Sequence, residues 1–323
     1  MIRFIAGRAV KALLVVVAIV VLNFFLIRLA PGDPAMVLAG EAGAADAKFV
    51  ASLREQFGLD KPLLTQLWTY LKGFLSFDLG FSYRQQRTIA SLIFERLPAT
   101  ILLTLSAFMI ALAGGVALGT LAARHVGRWL DSAISALALV CYATPLFWIA
   151  LMAVLLFAVQ LEWLPAYGMA TVGGDTGGFE YVFDVLHHLV LPASVLGLFY
   201  VALYARLTRA SLLEIGNQDF IRTARAKGVS EGRILWVHQL RNALLPIITM
   251  AGLQAGHLIG GAVVVETVFA WPGIGRLAFD ALIQRDYNLI LGIFFITAAM
   301  VVLFNLITDL IYGVVDPRID VTA

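Results

Sequence analysis

The hydrophobic residues of this chain lie in long runs that are separated by short polar segments. A helix that crosses a bilayer needs about 20 mostly apolar residues. Six segments meet this requirement, at residues 10–29, 98–122, 133–160, 187–209, 243–266 and 289–313. The pattern therefore predicts an all-α integral membrane protein with six transmembrane helices.

The longest interval between two of these spans, residues 30–97, predicts a helical external insertion after the first helix. Apolar residues recur there at helical spacing from Phe49 to Phe57 and again from Leu64 to Leu75. Such stripes are typical of short amphipathic helices. The predicted organisation is an anchor helix at 1–29, the insertion at 30–97, a five-helix core at 98–313 that contains a polar loop at 210–243, and a tail at 314–323.

The distribution of Lys and Arg predicts the orientation, because cytoplasmic loops carry an excess of both. The interval 207–242 contains six of these residues and the interval 161–186 contains none. Arg276 and Arg285 are the exceptions, in a loop on the opposite side. The pattern predicts that both termini, the tail and the basic loop are cytoplasmic.

Composition narrows the function. The chain is 61% hydrophobic and 14% charged, and its net charge of +2 is too small to indicate a nucleic-acid partner. It has no phosphate-binding G-x-x-x-x-G-K-[ST] motif and no H-E-x-x-H helix. His187 and His188 are adjacent, so on a helix they diverge and chelate a metal poorly. We therefore expect no enzyme activity, no metal site and no cofactor, which leaves a transport component.

The fifth span carries two features that allow different interpretations. Gly252, Gly256 and Gly260 form a row of small residues, which favours close helix packing in lipid. Gln254 and His257 lie one turn apart among them, and polar groups in a span usually face a bundle interior or a wet pathway. With Glu266 at the end of the span, they are candidates for a translocation path, and packing is the alternative.

The basic loop predicts two helices. Residues 217–227 favour the first, with Asn217 as a possible cap, and Gly228 suits the left-handed position at its end. Ser230 can cap the second helix, which leads into the fifth span. The loop is thus expected to be ordered rather than a simple tether.

The first of these helices has the pattern of a docking surface. Phe220, Ala224 and Gly228 recur every four residues, so an aromatic side chain lies beside small residues on one face. Arg222, Arg225 and Lys227 surround this face, as expected for contact with an acidic soluble partner. The alternative is a positively charged anchor that fixes topology or contacts anionic lipid.

The loop resembles the Glu-Ala-Ala motif with which the permeases of ABC importers meet their ATPase subunits. Arg222, Thr223 and Ala224 hold its first three places, Gly228 holds the glycine, and Arg241 stands where many members carry proline. The stretches from Asp219 to Gly228 and from His238 to Pro246 resemble the version found in dipeptide, oligopeptide and nickel importers. The ATPase-coupling residues that the resemblance implies are Phe220, Arg222, Thr223, Ala224, Arg225, Lys227, Gly228, His238, Arg241 and Asn242.

Further motifs extend the resemblance over nearly the whole chain. They are PGDP at 31–34, FGLDKP at 57–62, DLGFS at 78–82, TVFAWPGIGR at 267–276, RDY at 285–287 and YGVVDPR at 312–318. The resemblance implies a six-helix permease of the ABC type I importer kind in a bacterial inner membrane, with no catalytic residue of its own.

The same resemblance implies the partners. They are a second, similar permease subunit, two ATPase subunits that bind ATP and Mg²⁺, an external substrate-binding protein and membrane lipid. Dipeptides or oligopeptides are the expected substrates, with nickel, heme or a modified peptide as alternatives. A stand-alone channel or secondary transporter is the alternative of a different class, although acidic residues within the spans are few.

Overall fold

The structure is a computed structural model that describes residues 2–29, 47–56, 60–76, 78–82, 84–174 and 177–315. The PGDP motif and the tail beyond residue 315 lie outside this part of the chain. The described elements, in chain order, are α1 (Ile2–Leu29), α2 (Ala47–Gln56), α3 (Leu63–Leu75), β1 (Phe81–Ser82), β2 (Arg87–Thr88), α4 (Ile89–Arg124), α5 (Trp129–Ala143), α6 (Leu146–Ala153), a π-helix (Val154–Gln160), α7 (Gly178–Gly216), α8 (Asp219–Ala226), α9 (Glu231–Arg233), a second π-helix (Ile234–Gln239), α10 (Leu240–Val268), α11 (Ile274–Ile283) and α12 (Tyr287–Val315).

Several helices have the length and hydropathy of membrane spans. Within the described residues, Ile89–Arg124, Gly178–Gly216 and Tyr287–Leu306 are each long and apolar enough to cross a bilayer. The first two contain the predicted second and fourth spans, and the third overlaps most of the predicted sixth. The helices α1 and α10 cover the first and fifth, but some of their side chains lie outside the described part. The all-α fold class is confirmed, and the count of six spans stays a prediction.

The predicted third span is broken in the middle. Its first half is α5, and its second half is α6 together with the following π-helix. The two halves meet at an angle of 104°. Thr144 between them has an extended backbone, with φ −83° and ψ 134°. The residue before a proline is driven to this conformation by the ring of Pro145, which ends α5 at Ala143. Pro192 in the fourth span, by contrast, lies inside the continuous helix α7.

The chain divides into two compact units, which are described separately. Residues 96–277, with the chain after residue 302, form the larger one. Its main packing element is α7, which contacts α5, α6 and α10. The largest fully buried side chains of this unit include Trp271 and Tyr204. The unit thus has a helical core around α7.

Glycines allow α4 and α7 to pack closely. A Cβ on Gly115 would overlap Tyr204 of α7, and one on Gly119 would lie 2.5 Å from the carbonyl oxygen of Ala205. In the other direction, a Cβ on Gly197 of α7 would lie 2.8 Å from the Ile110 side chain. Small residues in lipid-embedded helices permit this backbone approach. The short glycine row of the second span therefore has a packing role.

The smaller unit comprises residues 1–95 and 278–302. Its hairpin pairs Phe81 with Thr88. Ser82 donates a hydrogen bond to the Asp286 carboxylate, and the other oxygen of Asp286 accepts the Leu289 N–H at 3.1 Å. Asp286 therefore caps the first turn of α12 and ties it to the hairpin. Two motifs that are about 200 residues apart in sequence, DLGFS and RDY, meet here.

Candidate functional site

The basic loop between α7 and α10 folds into the short helix α8, which lies on a hydrophobic cluster. Ile221 is the buried residue of α8 and is 0% exposed. It packs with residues from the end of α7, the second π-helix and the start of α10, namely Leu212, Ile215, Ile234, Leu235, Leu240 and Ala243. One apolar side chain thus fixes α8 against three elements, and the rest of the helix is left mostly exposed.

The C-terminus of α8 has the predicted glycine stop. Gly228 has a φ of +76°, which is the left-handed conformation that favours glycine. Its N–H donates to the Arg225 carbonyl at 2.9 Å, and the Val229 N–H donates to the Ala224 carbonyl at 3.2 Å. A Cβ on Gly228 would meet no atom within 4 Å, so backbone conformation and not space explains the glycine.

The predicted N-terminal cap of α8 was wrong. Asn217 is the C-cap of α7, and its side-chain Nδ2 donates to the Leu213 carbonyl at 3.1 Å. Gln218 precedes α8 instead, without a side-chain cap hydrogen bond. The apolar pattern of the fourth span continues beyond residue 209. The helix α7 therefore extends to Gly216, and Asn217 is its C-cap.

Ser230 holds the predicted position before α9. Its side chain makes no cap hydrogen bond, but its carbonyl oxygen accepts the Ile234 N–H at 2.9 Å. The second helix of the loop therefore starts where the sequence indicated, and it continues through the π-helix into α10.

The structure divides the predicted docking residues of α8 between two faces. Phe220 is 42% exposed, and Arg222 and Thr223 are exposed beside it. Ala224 is partly buried and packs against the cluster that contains Ile221. Phe220 and the charged residues thus form the accessible surface, with Lys227 and Gly228 exposed at its end.

One ion pair crosses the loop. The Arg225 guanidinium donates to both Glu231 oxygens, at 2.8 and 3.2 Å, and so joins the end of α8 to α9. This hydrogen bonding lowers the pKa of the Glu231 carboxyl below its ordinary value. The pair from Asp219 to Arg222 is longer, at 3.4 Å, and both side chains are largely exposed. The loop is therefore closed by Arg225, whereas Arg222 is available to a partner.

The second half of the predicted coupling set lies where the π-helix enters α10. His238 is partly buried, whereas Arg241 and Asn242 are exposed. The Asn242 Nδ2 donates to the His238 carbonyl at 2.7 Å. Trp236, which the sequence analysis did not select, is 59% exposed on the π-helix. An exposed tryptophan in a polar loop is typical of interfaces and is the signal that could have identified it.

An open groove of about 470 Å³ lies next to α8. Its walls come from the ends of α4 and α7, from the Arg225–Glu231 pair, from α9 and from the second π-helix. The lining residues are Ala123, Arg124, Leu212, Leu213, Gly216, Asn217, Arg225, Glu231, Gly232, Leu235 and Gln239. The loop thus presents a concave surface beside the convex one of Phe220.

The predicted path residues lie along α10. Gln254 is partly buried, and the side chain of His257 lies outside the described residues. The structure therefore places both positions on one helix, and their role in a path stays a prediction.

Glu266, the third predicted path residue, is 0% exposed and holds a turn together. One carboxylate oxygen accepts a hydrogen bond from the Thr100 hydroxyl at 2.8 Å, and the other accepts the Arg276 N–H at 2.9 Å. Thr100 in turn accepts the Ile274 N–H at 2.8 Å. Two N–H groups at the start of α11, which have no partner within the helix, thus donate to side chains of α10 and α4. This arrangement is typical of a helix cap with a structural role.

The residues between α10 and α11 complete this network, which we call the 266–276 turn. Trp271 is fully buried, and its indole N–H donates to the Ala99 carbonyl at 2.9 Å. A Cβ on Gly273 would lie on the Glu266 carboxylate, and one on Gly275 would lie 2.7 Å from the Val263 Cα. The glycines of the WPGIG segment therefore make room for the buried carboxylate.

Comparisons with known proteins agree with this architecture. The family described as "Binding-protein-dependent transport system inner membrane component" matches residues 115–321, and the N-terminal membrane component of such systems matches residues 1–104. The chain is 39% identical to the dipeptide transport system permease protein DppB of Alkalihalophilus pseudofirmus and 38% identical to DppB of Escherichia coli K12. Each alignment covers 99% of both chains.

Among solved structures, two crystal forms of the inward-facing MetNI methionine ABC transporter share the fold. Their TM-scores are 0.55 and 0.57 at 18% identity, over 70% of this chain and 97% and 96% of the matched chains. The predicted helical architecture of the ABC type I importer kind is confirmed by this likeness and by the family matches. The chain belongs to the family of inner membrane components of binding-protein-dependent transport systems.

Proposed function

We propose that this chain is the membrane-spanning permease subunit of an ATP-driven importer that takes up dipeptides or short oligopeptides. The observation that carries the proposal is the similarity to the two DppB proteins, which extends over 99% of this chain and of each relative. Similarity over the full length includes both the basic loop and the insertion. It therefore favours the same subunit role in a transporter and not only a shared membrane core.

The loop around α8 is the proposed contact with an ATPase subunit. Its support is geometric: Ile221 fixes the helix to α7 and α10, and Phe220 and Arg222 are exposed on it. One face of this helix is packed against the spans and the other is exposed, so a displacement of the helix by a partner would be transmitted to the spans. Such coupling requires the contact to differ in free energy between the nucleotide states of the ATPase.

The proposed assembly contains a second, similar permease, two ATPase subunits and an external binding protein. This chain would need no cofactor of its own, since ATP and Mg²⁺ would be bound by the ATPase subunits. Both termini and the α8 loop would face the cytoplasm, in accordance with the Lys and Arg distribution. Gln254 and His257 would line part of the path, and Glu266 would shape its wall from the 266–276 turn.

The coupling role is tested by exposed residues, whose replacement should not disturb folding. Phe220→Ala and Arg222→Glu are made in the complete transporter, with Phe179→Ala as the matched control, because Phe179 is 88% exposed on the other side of the predicted membrane. We expect the two loop variants to lose most of the co-purified ATPase and peptide uptake while their membrane level is unchanged. Normal association and uptake in both would contradict the coupling role.

The substrate class is tested on the cognate external binding protein by calorimetry with dipeptides, longer peptides and Ni²⁺. We expect tight binding of short peptides. Binding of Ni²⁺ without peptides would replace the substrate class, binding of none of the three would favour heme or a modified peptide, and both results would leave the permease role intact. A stand-alone secondary transporter, the alternative of a different class, would purify without ATPase subunits and transport without ATP.

A further inference from the structure

A bidentate ion pair joins α5 to α7. The Arg209 Nε donates to Asp131 Oδ1 at 2.6 Å, and its Nη2 donates to Oδ2 at 2.8 Å. The Asp131 side chain is 8% exposed and that of Arg209 is 32% exposed, so the pair is partly shielded from water. Paired N–H donors on one carboxylate fix both distance and direction. The contact is therefore a rigid link and not a loose surface pair.

Asp131 also holds the turn before α5. The Gly127 N–H donates to Asp131 Oδ2 at 3.1 Å, and Gly127 has a φ of +75°. Asp131 lies in the first turn of α5. One carboxylate thus fixes the entry to α5 and its attachment to α7 at the same time, so a displacement of α7 at this level acts directly on the start of α5.

On the α7 side, the ion pair lies close to the coupling helix. Arg209 precedes the end of α7, at Gly216, by about 10 Å at the helical rise of 1.5 Å per residue. Leu212, one turn after Arg209, belongs to the same buried cluster as Ile221 of α8. Ile215, on the next turn, is also part of this cluster. A continuous packed route therefore leads from α8 through the end of α7 to Arg209.

On the α5 side, the route leads to the break in the third span. The helix α5 runs from Trp129 to Ala143 and then meets α6 at the 104° bend. The break at Thr144 and Pro145 has no continuous helical hydrogen bonding, so α5 can change its angle to α6 more easily than an unbroken helix could.

We propose that Asp131 and Arg209 are positioning residues that carry displacement of the coupling helix α8 to the broken third span. The proposal rests on the proposed ATPase contact of α8. It adds a route by which one ion pair drives α5 as α7 moves. This role is in positioning and not in binding substrate or nucleotide, so the loss of the pair should uncouple ATP hydrolysis from transport and leave ATPase binding intact.

The first test measures peptide uptake per ATP hydrolysed by the complete transporter in proteoliposomes. The variants are Asp131→Asn, Arg209→Gln and the exchange Asp131→Arg with Arg209→Asp. Arg206→Gln is the matched control, since Arg206 is exposed on α7 one turn earlier and forms no ion pair within the described residues. We expect each single variant to lower uptake per ATP at least about fivefold. The exchange should recover part of the uptake per ATP, because an arginine at position 131 restores the ion pair but cannot accept the Gly127 N–H, and the control should not change.

The second test follows α5 itself. Cys141 is the one cysteine of the chain and lies near the end of α5, where it is partly buried. A spin label on Cys141, with the cysteines of the partner subunits replaced, should change its spectrum when the ATPases are trapped with vanadate. We expect this change in the native chain and in the exchange variant, and we expect it to be absent from Asp131→Asn.

The outcomes separate this proposal from the coupling role of α8. Native uptake per ATP in Asp131→Asn, or a label that still responds in that variant, overturns the proposal. Loss of ATPase binding in Asp131→Asn but not in Arg206→Gln overturns it as well, because the pair would then support the docking surface. If the single variants fail to assemble, the exchange variant is the test. Recovered uptake per ATP in it supports the proposal. An assembled exchange variant whose Cys141 label shows no spectral change with vanadate refutes the proposal.

Discussion

The α8 loop and the 266–276 turn use polar residues in opposite ways. In the loop, arginines and a lysine are exposed, the hydrogen bonds are local, and the burial of Ile221 fixes the helix. In the turn, the carboxylate of Glu266 is fully buried and bonds to groups from two other segments. A buried polar group needs hydrogen-bond partners inside the protein, whereas an exposed one is solvated and remains available to another protein. The loop is thus suited to docking and the turn to holding a fixed shape.

The largest effect is expected at the turn. In Gly273→Ala, the added methyl group would lie on the Glu266 carboxylate, so either the carboxylate or the backbone must move. Overpacking costs about 1–3 kcal/mol, and a displaced buried carboxylate adds to that. We expect a large loss of folded protein, measured by gel filtration after a temperature series in detergent. Gly232→Ala in the loop is the control, because no atom lies within 4 Å of its Cβ position, and equal stability of the two variants would remove the contrast.

A smaller effect is expected when Glu266 is replaced by its amide. Glu266→Gln keeps the shape, but the amide NH₂ must then face either the Arg276 N–H, which cannot accept, or the Thr100 hydroxyl, whose own hydrogen then loses its acceptor. A buried donor without an acceptor destabilises by about 1–3 kcal/mol. We expect a lower unfolding temperature with unchanged ATPase association. Arg222→Gln in the loop should show the reverse pattern, a native unfolding temperature with weaker association.

The smallest effect is expected at the Arg225–Glu231 pair. The pKa of Glu231 is lower in the folded protein than its ordinary value of 4.5, because Arg225 donates to the charged form. Its stabilisation is therefore complete above the ordinary pKa and is lost as the pH falls through the lowered one. Since the pair is exposed, Glu231→Gln should destabilise by about 0.2–1 kcal/mol at neutral pH and by nothing in strong acid. A difference from the native chain that persists below this pH window would show that the ion pair is not its cause.

Local patterns predicted several details that the structure bears out. Gly228 adopts the left-handed conformation at the end of α8, and Ser230 precedes the next helix. The prediction for Asn217 was wrong, because the apolar pattern of α7 continues and competes for the same residue. Ile221 was missed, because a lone isoleucine in a basic segment gives no sign of the cluster beneath it. A proline lies in both the third and the fourth span, but only Pro145 follows the end of a helix, so the break and its angle of 104° came from the structure.

By itself, the sequence determined the all-α membrane class, the family and the location of the basic loop. These properties depend on runs of apolar residues, on charge and on motifs that are each contiguous in the chain. Tertiary structure alone decided that Ser82 meets Asp286, that Glu266 caps α11 beside Thr100, and that Asp131 pairs with Arg209. Each of these contacts joins residues more than 70 positions apart, and such pairings depend on how the helices pack, which no local pattern encodes.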